Sequence, residues 1–511
     1  MPSLIRVISR RALLCGCFLA LYSLSFADTP KTVNLTILHT NDTHGHLMPY
    51  SYPETADADS EVAHLVSRKN IGGAARRATL VKKIRAEKGH DTLLLDAGDI
   101  CDGTPFSIEY HGDADIAAMN AIGYDLACPG NHEFNNTVDQ LIKLRSDAHF
   151  PILCANARFK SPDKPVYLPY IIKEIGGAKI AFFGLTTYDA RTYTAAKDSM
   201  NMQEPIEAAK KLVPELRKQA DLVVAITHIG FDVDQRMAYD VPGIDVIVGG
   251  HTHTMLSQPL YIASSVISDS LIKPTIIVQN YQWAGTLGRL DLTLQRAENG
   301  TWSIPKYHGA LLPITSTIPE DPKVAQVVST YWGPIKSKYA AVIGEATDDF
   351  ASKGPDYAEY NFVADAVREQ MGTEFDLENQ GGVRAPLTKG TITYQDMATL
   401  DPFGNTLVTF KVTGRQLKEI LAKGRPGVSG IRYTMSGNTL TEATINGKPI
   451  EDDRVYAGAT NSYLASQPIM KDVADKVDTK KPRLEALIAY IKAHKTISPS
   501  YDSRRLLKSA N

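Results

Sequence analysis

Cysteine is scarce in this 511-residue chain: there are five, and two of them sit at positions 15 and 17. The other three, Cys101, Cys128 and Cys154, are too few for a disulfide framework, and their odd number leaves at least one thiol unpaired. They read as small buried hydrophobes. A charge excess is also lacking. The 55 basic and 57 acidic residues leave a net charge of -2 and a pI near 6.7. That excludes the basic footprint of a protein that binds nucleic-acid polymers. Beyond the N-terminal segment no run approaches the ~18 apolar residues of a membrane span, and there is no low-complexity segment or internal repeat. What remains is an ordinary globular composition, long enough for two or three domains.

The first 27 residues have the composition of a secretory signal. Arg6, Arg10 and Arg11 precede an apolar stretch from Ala12 to Leu21, and Ser25-Phe26-Ala27 places small residues for cleavage before Asp28. Ser9-Arg10-Arg11 also resembles a twin-arginine signal, and Leu14-Cys15-Gly16-Cys17 offers a lipobox with Cys17 as the lipidated residue. The expectation is an exported protein, periplasmic or extracellular, without a membrane span and at most tethered by an N-terminal lipid. Oligomeric state is not legible.

The rest divides near residues 320–345. Before that point apolar, strand-like runs (Val33–Leu38, Thr92–Leu95, Lys179–Gly184, Leu222–Ile226, Val246–Val248, Thr275–Val278) alternate with helical patterns such as Ala74–Lys88, Thr137–Asp147 and Pro205–Gln219. The alternation predicts α/β layering. The prolines of Leu312–Pro322 break it, and a connecting helix is expected from about Lys323 to Ala341. Beyond Ile343 the runs shorten and turns multiply, which reads as a second, α+β domain. The expected division is a signal over 1–27, a first domain over 28–320, a linker and connecting helix over 321–345, and a second domain over 346–511.

Five clusters at the ends of apolar runs carry the chemistry: His39-Thr40-Asn41-Asp42-Thr43-His44, Gly98-Asp99, Gly130-Asn131-His132-Glu133, Thr227-His228 and Gly250-His251-Thr252-His253. In layered α/β folds, function collects in the loops beyond the carboxyl ends of strands. Each cluster alone is common by chance; together they supply carboxylates and imidazoles for two metal ions, and a dinuclear site points to phosphoester hydrolysis. Two dications repel strongly, so a bridging carboxylate is needed, and Asp99 is the best placed. The alternate spacing in Asp42-x-His44 and His251-x-His253 is expected to put each pair on one side of an extended strand exit.

Asp42-x-His44, Gly98-Asp99, Gly130-Asn131-His132-Glu133, His228 and Gly250-His251-x-His253 resemble the calcineurin-like metallophosphoesterase pattern. The wording from His39 to His44, together with the second domain, resembles the bacterial periplasmic 5′-nucleotidase/UDP-sugar hydrolase family. The resemblance implies a four-layer β-sandwich flanked by helices, joined by a linker helix to the smaller α+β domain. It implies one metal held by Asp42, His44, Asp99 and His253, and another held by Asp99, Asn131, His228 and His251. Mixed imidazole and oxygen donors admit Zn²⁺, Mn²⁺ or Fe. Metal-activated water would attack phosphorus, and His132 would stabilise the developing charge or protonate the leaving alkoxide. Family members often carry an Asp three residues after this His. Here it is Asn135, which predicts a less readily protonated His132 and resembles the 2′,3′-cyclic-nucleotide phosphodiesterase branch.

In the second domain Asn379-Gln380-Gly381-Gly382-Val383-Arg384 resembles the family's glycine-rich substrate loop, and Asp401-Pro402-Phe403-Gly404-Asn405 its base-stacking segment. Asn379, Arg384, Phe403 and Asn405 are therefore the substrate candidates: Arg384 to grip an anion, Phe403 to stack on a base. Val428–Tyr433 is expected to be a packing strand. The family's second clamp ring, from a glycine-rich turn, is absent after Asn461-Ser462-Tyr463, leaving Tyr463 as a substitute. A further arginine is absent as well, with Lys353 the nearest cation. The leading expectation is a 5′-nucleotidase acting on small nucleotides. A 2′,3′-cyclic phosphodiesterase or broad phosphomonoesterase is the alternative, and a non-catalytic binding protein with a vestigial site is the second.

Overall fold

Strands covered on both faces need apolar residues throughout, not at alternate positions, and the first domain's strands have them. The computed structural model describes residues 31–51, 68–89, 91–263, 274–350, 352–353 and 356–508. The signal expected over residues 1–27 lies outside these. Strands β1 (Thr32–Thr40), β2 (Thr92–Asp96) and β3 (Leu126–Ala127) run parallel. A second sheet contains β4 (Tyr170–Ile175), β5 (Ala178–Thr186), β6 (Leu222–His228), β7 (Val246–Gly249), β8 (Leu260–Ile262) and β9 (Thr275–Gln279), in the order β8-β9-β7-β6-β5-β4. Its inner strands β5, β6, β7 and β9 are parallel. β10 (Thr286–Arg296) and β11 (Trp302–Pro313) then return antiparallel to complete the first sheet, in the order β11-β10-β1-β2-β3.

The two sheets face each other. Leu35, Ile37, Leu93 and Leu95 share one buried core with Phe182, Ile226, Val248 and Val278. Helices Ala74–Lys88 and Asp113–Ile122 cover the outer face of the first sheet. Helices Pro205–Arg217 and Phe231–Asp240 cover the second. The result is the expected four-layer sandwich. The carboxyl ends of β1, β2 and β3 meet those of β6 and β7, so loops distant in sequence converge at one place.

The connecting helix spans Pro322–Tyr339, and the Asp321 carboxylate caps its start by accepting from the Lys323 and Val324 amides. It is packed at both ends. Val324 and Val328 join the core over the first sheet, while Ile335 and Tyr339 pack with Ala398 of the second domain. Glu109 of the first domain accepts from Lys338 Nζ at 2.8 Å and Tyr339 Oη at 2.7 Å.

The second domain is α+β as expected. β12 (Phe375–Glu378), β13 (Thr406–Thr413), β14 (Gly427–Ser429), β15 (Val455–Asn461) and β16 (Ala474–Pro482) form its main sheet, in the order β14-β12-β15-β13-β16. Helices Ala358–Met371 and Arg483–His494 pack together through Val363, Val367, Leu487 and Ile491. The single strand expected over Val428–Tyr433 is two, broken at Gly430, whose positive φ of 74° lets the chain turn beside the Glu374 carbonyl.

One buried side chain holds the substrate-facing loops of this domain in register. Arg483 is fully buried. It donates through Nε and Nη2 to both oxygens of Asp401 at 2.9 and 2.7 Å, through Nη2 to the Gly382 carbonyl at 2.7 Å, and through Nη1 to Glu378. The end of β12, the glycine-rich loop and the segment before Phe403 therefore share one guanidinium. Arg483→Met would leave two buried carboxylates without their partner, at a cost of about 3–5 kcal/mol. The expected outcome is a large drop in the urea midpoint of the second domain; an unchanged midpoint would show that the arginine is not its anchor.

Candidate metal centre and substrate cleft

Six of the seven expected ligands come together in two groups, and the seventh, Asn131, lines the same cleft. Asp42, His44 and His253 form one group, Asp99, His228 and His251 another, with the donor atoms of each within 4.8 Å of one another. His44, Asp99 and His132 form an overlapping group that joins them. Asp42 and Asp99 are buried, and so are the His44 and His228 rings. His228 Nε2 lies 3.0 Å from Asp99 Oδ2, and His253 Nε2 lies 3.2 Å from Asp42 Oδ1.

The backbone reaches this arrangement differently from the expectation. Asp42 and His44 are not alternate residues of an extended strand, and neither are His251 and His253. All four have positive φ, 50°, 47°, 84° and 52°, as do Asp99 at 54° and Asp102 at 65°. Left-handed backbone at such residues costs on the order of 1–3 kcal/mol each, so the surrounding hydrogen bonds must enforce it. They do: the Asp42 amide donates to the Gly98 carbonyl at 2.9 Å, the His44 amide to the Asp99 carbonyl at 3.0 Å, and the Trp283 amide to the Asp42 carbonyl at 2.7 Å. Two glycines bring the loops into contact. A Cβ on Gly98 would sit 2.4 Å from the Gly130 nitrogen, and one on Gly130 would sit 2.1 Å from Asp99 Oδ1.

The donor set fits two metal ions on independent grounds. A backbone carbonyl can only accept, so His228 Nδ1, 2.7 Å from the Ala97 carbonyl, carries its proton and leaves Nε2 as a lone pair. His44 Nδ1 is held likewise by the Cys101 and Asp102 carbonyls at 3.1 Å each. Asn131 Oδ1 is buried without a hydrogen-bond partner, and His228 Nε2 faces only the Asp99 carboxylate, so both atoms are available to a ligand. Asn131 is fixed by donating from Nδ2 to Tyr193 Oη at 3.0 Å, which aims its Oδ1 the other way.

His132 lies at the edge of this centre, stacked on Phe403 with ring centroids 5.8 Å apart and planes at 20°. Asn135 brings no charge to the ring, and a neighbouring carboxylate does. Burial alone would lower the pKa of His132, but the Asp99 charge and the hydrogen bond and charge of Asp102 outweigh burial and raise it above the ordinary value. A carboxylate missing at position 135 is present at position 102.

The substrate candidates face the same centre across a cleft of about 770 Å³. Arg384 Nη2 donates to His44 Nε2 at 2.9 Å, and its guanidinium lies 5.7 Å over the Phe403 ring. Asn379 and Asn405 line the cleft and also brace it: Asn379 Oδ1 accepts from Asn461 Nδ2 at 2.9 Å, and Asn405 Oδ1 from Ser462 Oγ at 3.1 Å. Tyr463 is in the wall, 44 % exposed, with Tyr193 also lining the cleft. The side chain of Lys353 lies outside the described residues. The three cysteines are free and buried, as read from sequence.

Sequence reasoning missed three supports. Glu133 accepts from the amides of Asp99 and Ile100 at 3.1 and 2.9 Å and so shapes the loop that carries the bridging candidate. Asp102 carries a signal that could have exposed it, since Asp102-Gly103 is a turn pair three residues after a ligand. Tyr193 offers no local signal.

Comparison with known proteins gives two domain matches. Residues 35–255 match the calcineurin-like phosphoesterase model and residues 342–469 the 5′-nucleotidase C-terminal domain model. A trifunctional nucleotide phosphoesterase of Bacillus subtilis is 31% identical over 86% of this chain, which spans only 32% of that longer protein. A 5′-nucleotidase of Vibrio cholerae is 28% identical over 95% of both chains. Among solved structures, the 5′-nucleotidase precursor of Thermus thermophilus superposes with a TM-score of 0.83 at 27% identity, over 94% of this chain and all of that one.

If Asp99 bridges, Asp99→Ala removes a ligand from both ions at once. Titration of the metal-free variant by calorimetry, with metal content read by emission spectrometry, is expected to show loss of both sites. Retention of two tightly held ions would remove Asp99 from the bridging position.

Proposed function

This chain belongs to the calcineurin-like phosphoesterases that carry a 5′-nucleotidase C-terminal domain, and on that premise we propose that it is an exported 5′-nucleotidase acting on small nucleotides. Metal-dependent phosphoester hydrolysis follows from the family and the donor set. The nucleotide is the finer reading. One observation carries it: Phe403 and Arg384, from the second domain, reach the metal centre built by the first, within a cleft large enough for a nucleotide.

The residues divide the work. Asp42, His44, Asp99, Asn131, His228, His251 and His253 hold two divalent metals, which supply an acidified water and charge stabilisation when bound. Arg384 offers a fixed guanidinium to the phosphate. Phe403 offers an aromatic face to a base, with Tyr463 on the cleft wall in place of the family's second ring. His132 holds a proton at Nε2 for the departing alkoxide, with Nδ1 tied to Asp102 at 3.2 Å.

A broader phosphoesterase is the second reading, favoured by the similarity to the trifunctional nucleotide phosphoesterase of Bacillus subtilis. Asn135 keeps the 2′,3′-cyclic phosphodiesterase alternative open, with Asp102 supplying the negative charge beside His132. Nothing in the donor set favours a vestigial site.

Hydrolysis of AMP, UDP-glucose, cyclic 2′,3′-AMP and bis-p-nitrophenyl phosphate by metal-loaded protein separates these readings, with AMP expected to be the best substrate. Phe403→Ala should raise KM for AMP, by about 10-fold for the loss of roughly 1.4 kcal/mol of stacking, and leave p-nitrophenyl phosphate nearly unchanged. An equal loss on both substrates would make Phe403 a packing residue.

For export, the test is the mature N-terminus. Sequencing of the protein from cell fractions is expected to begin at Asp28, and an intact Met1 in the cytosolic fraction would end that reading. A lipidated Cys17 would replace the cleavage site with an anchor.

A further inference from the structure

The position three residues beyond His132 holds an amide, and the structure shows where the matching carboxylate has gone. Asp102 Oδ2 lies 3.2 Å from His132 Nδ1, and Asn135 Nδ2 donates to that same oxygen. Asn135 Nδ2 is itself 3.1 Å from His132 Nδ1. A carboxylate oxygen can only accept, and an amide nitrogen can only donate. Both nitrogens therefore give their protons to Asp102. The close approach of Asn135 to the ring is a consequence of this sharing, since two donors do not bond to each other.

The tautomer follows. With its proton on Nδ1 directed at Asp102, His132 turns Nε2 toward Asp99, 3.9 Å away, and toward the cleft. Asp102 is suited to hold it there, because its side chain is only 19% exposed and its own carbonyl accepts from His44. A turn cannot slide when it is fastened at both its carbonyl and its carboxylate. Gly103 allows this closeness, since a Cβ there would lie 2.3 Å from the His44 carbonyl.

We propose that Asp102 is the positioning carboxylate of His132, and that Asn135 positions Asp102 in turn. The two residues have exchanged the tasks of acceptor and brace. Position 102 orients the ring, and position 135 no longer touches it as an acceptor. This rests on the phosphoester hydrolase reading. In the assisted step, a water oxygen bonds to phosphorus and gives up a proton to solvent, the bond from phosphorus to the leaving oxygen breaks, the proton on His132 Nε2 moves to that oxygen, and the neutral ring keeps its Nδ1 proton directed at Asp102.

The test is a charge exchange read with two aryl phosphates that differ in leaving group. Phenyl phosphate needs its leaving oxygen protonated far more than p-nitrophenyl phosphate does. Asp102→Asn is expected to lower kcat on phenyl phosphate by about 10–100-fold, the range for partners that orient a working histidine. On p-nitrophenyl phosphate the loss should be much smaller, with KM and metal content unchanged. The double variant D102N/N135D puts the carboxylate at 135 and the amide at 102 and is expected to recover the phenyl phosphate rate. Equal losses on both esters in D102N, or a double variant no faster than D102N, would overturn the proposal. Metal content below that of the unmodified protein in D102N would also overturn it, because the residue would then be supporting the ligands. Turnover of neither ester by the unmodified protein would count against the hydrolase reading, whereas failure on AMP alone would count only against the nucleotide.

Discussion

The loop after β2, from Ala97 to Gly103, carries the constraint on which the rest of the site depends. The Ala97 carbonyl fixes the proton of His228, and the Cys101 and Asp102 carbonyls fix that of His44. Asp99 stands between the two ligand groups, and its Oδ1 accepts from the His132 amide at 2.8 Å. A loop that sets two imidazole tautomers and supplies the bridging candidate cannot shift without disturbing both metal positions. Its left-handed residues at 99 and 102 are held by contacts to the β1 and β3 loops, and Glu133 receives the amides that would otherwise be stranded inside the protein. The strain of the loop is thus balanced by a closed set of hydrogen bonds.

The two domains contribute different kinds of rigidity. The first supplies a fixed donor array at the carboxyl ends of parallel strands, where neighbouring strand exits converge. The second supplies loops, which are adaptable by nature and here are fastened from behind by Arg483. That single guanidinium reaches the base of both the Arg384 loop and the Phe403 segment. Substrate residues can therefore change at the cleft surface while their backbone stays in place.

Much of this was legible in sequence, for identifiable reasons. Helix Ala74–Lys88 and the strands from Val33, Thr92, Leu222, Val246 and Thr275 are local patterns of apolar spacing, and local patterns survive without knowledge of the fold. The seven ligand candidates were legible because His, Asp and Asn at strand exits are informative as a set. The left-handed backbone at Asp42, His44, His251 and His253 was not, since alternate spacing suggests an extended chain and only the converging loops dictate otherwise. Arg483 and Tyr193 were invisible for a related reason. Each acts on a partner between 62 and 105 residues away, through contacts that no spacing rule encodes.

Asn135 shows why a motif has to be read together with its neighbours in space. Loss of a carboxylate three residues beyond a histidine argues for a less readily protonated ring only if that residue is the ring's sole electrostatic neighbour. In the folded chain the neighbour is set by which loop crosses the ring, and the loop after β2 crosses it with Asp102. What a histidine needs is one acceptor for Nδ1 in a fixed direction, and the fold can supply that acceptor from either side of the ring. The identity of the residue at 135 is then free to change, provided that position 102 changes with it. The two positions form one electrostatic unit, and neither can be interpreted without the other.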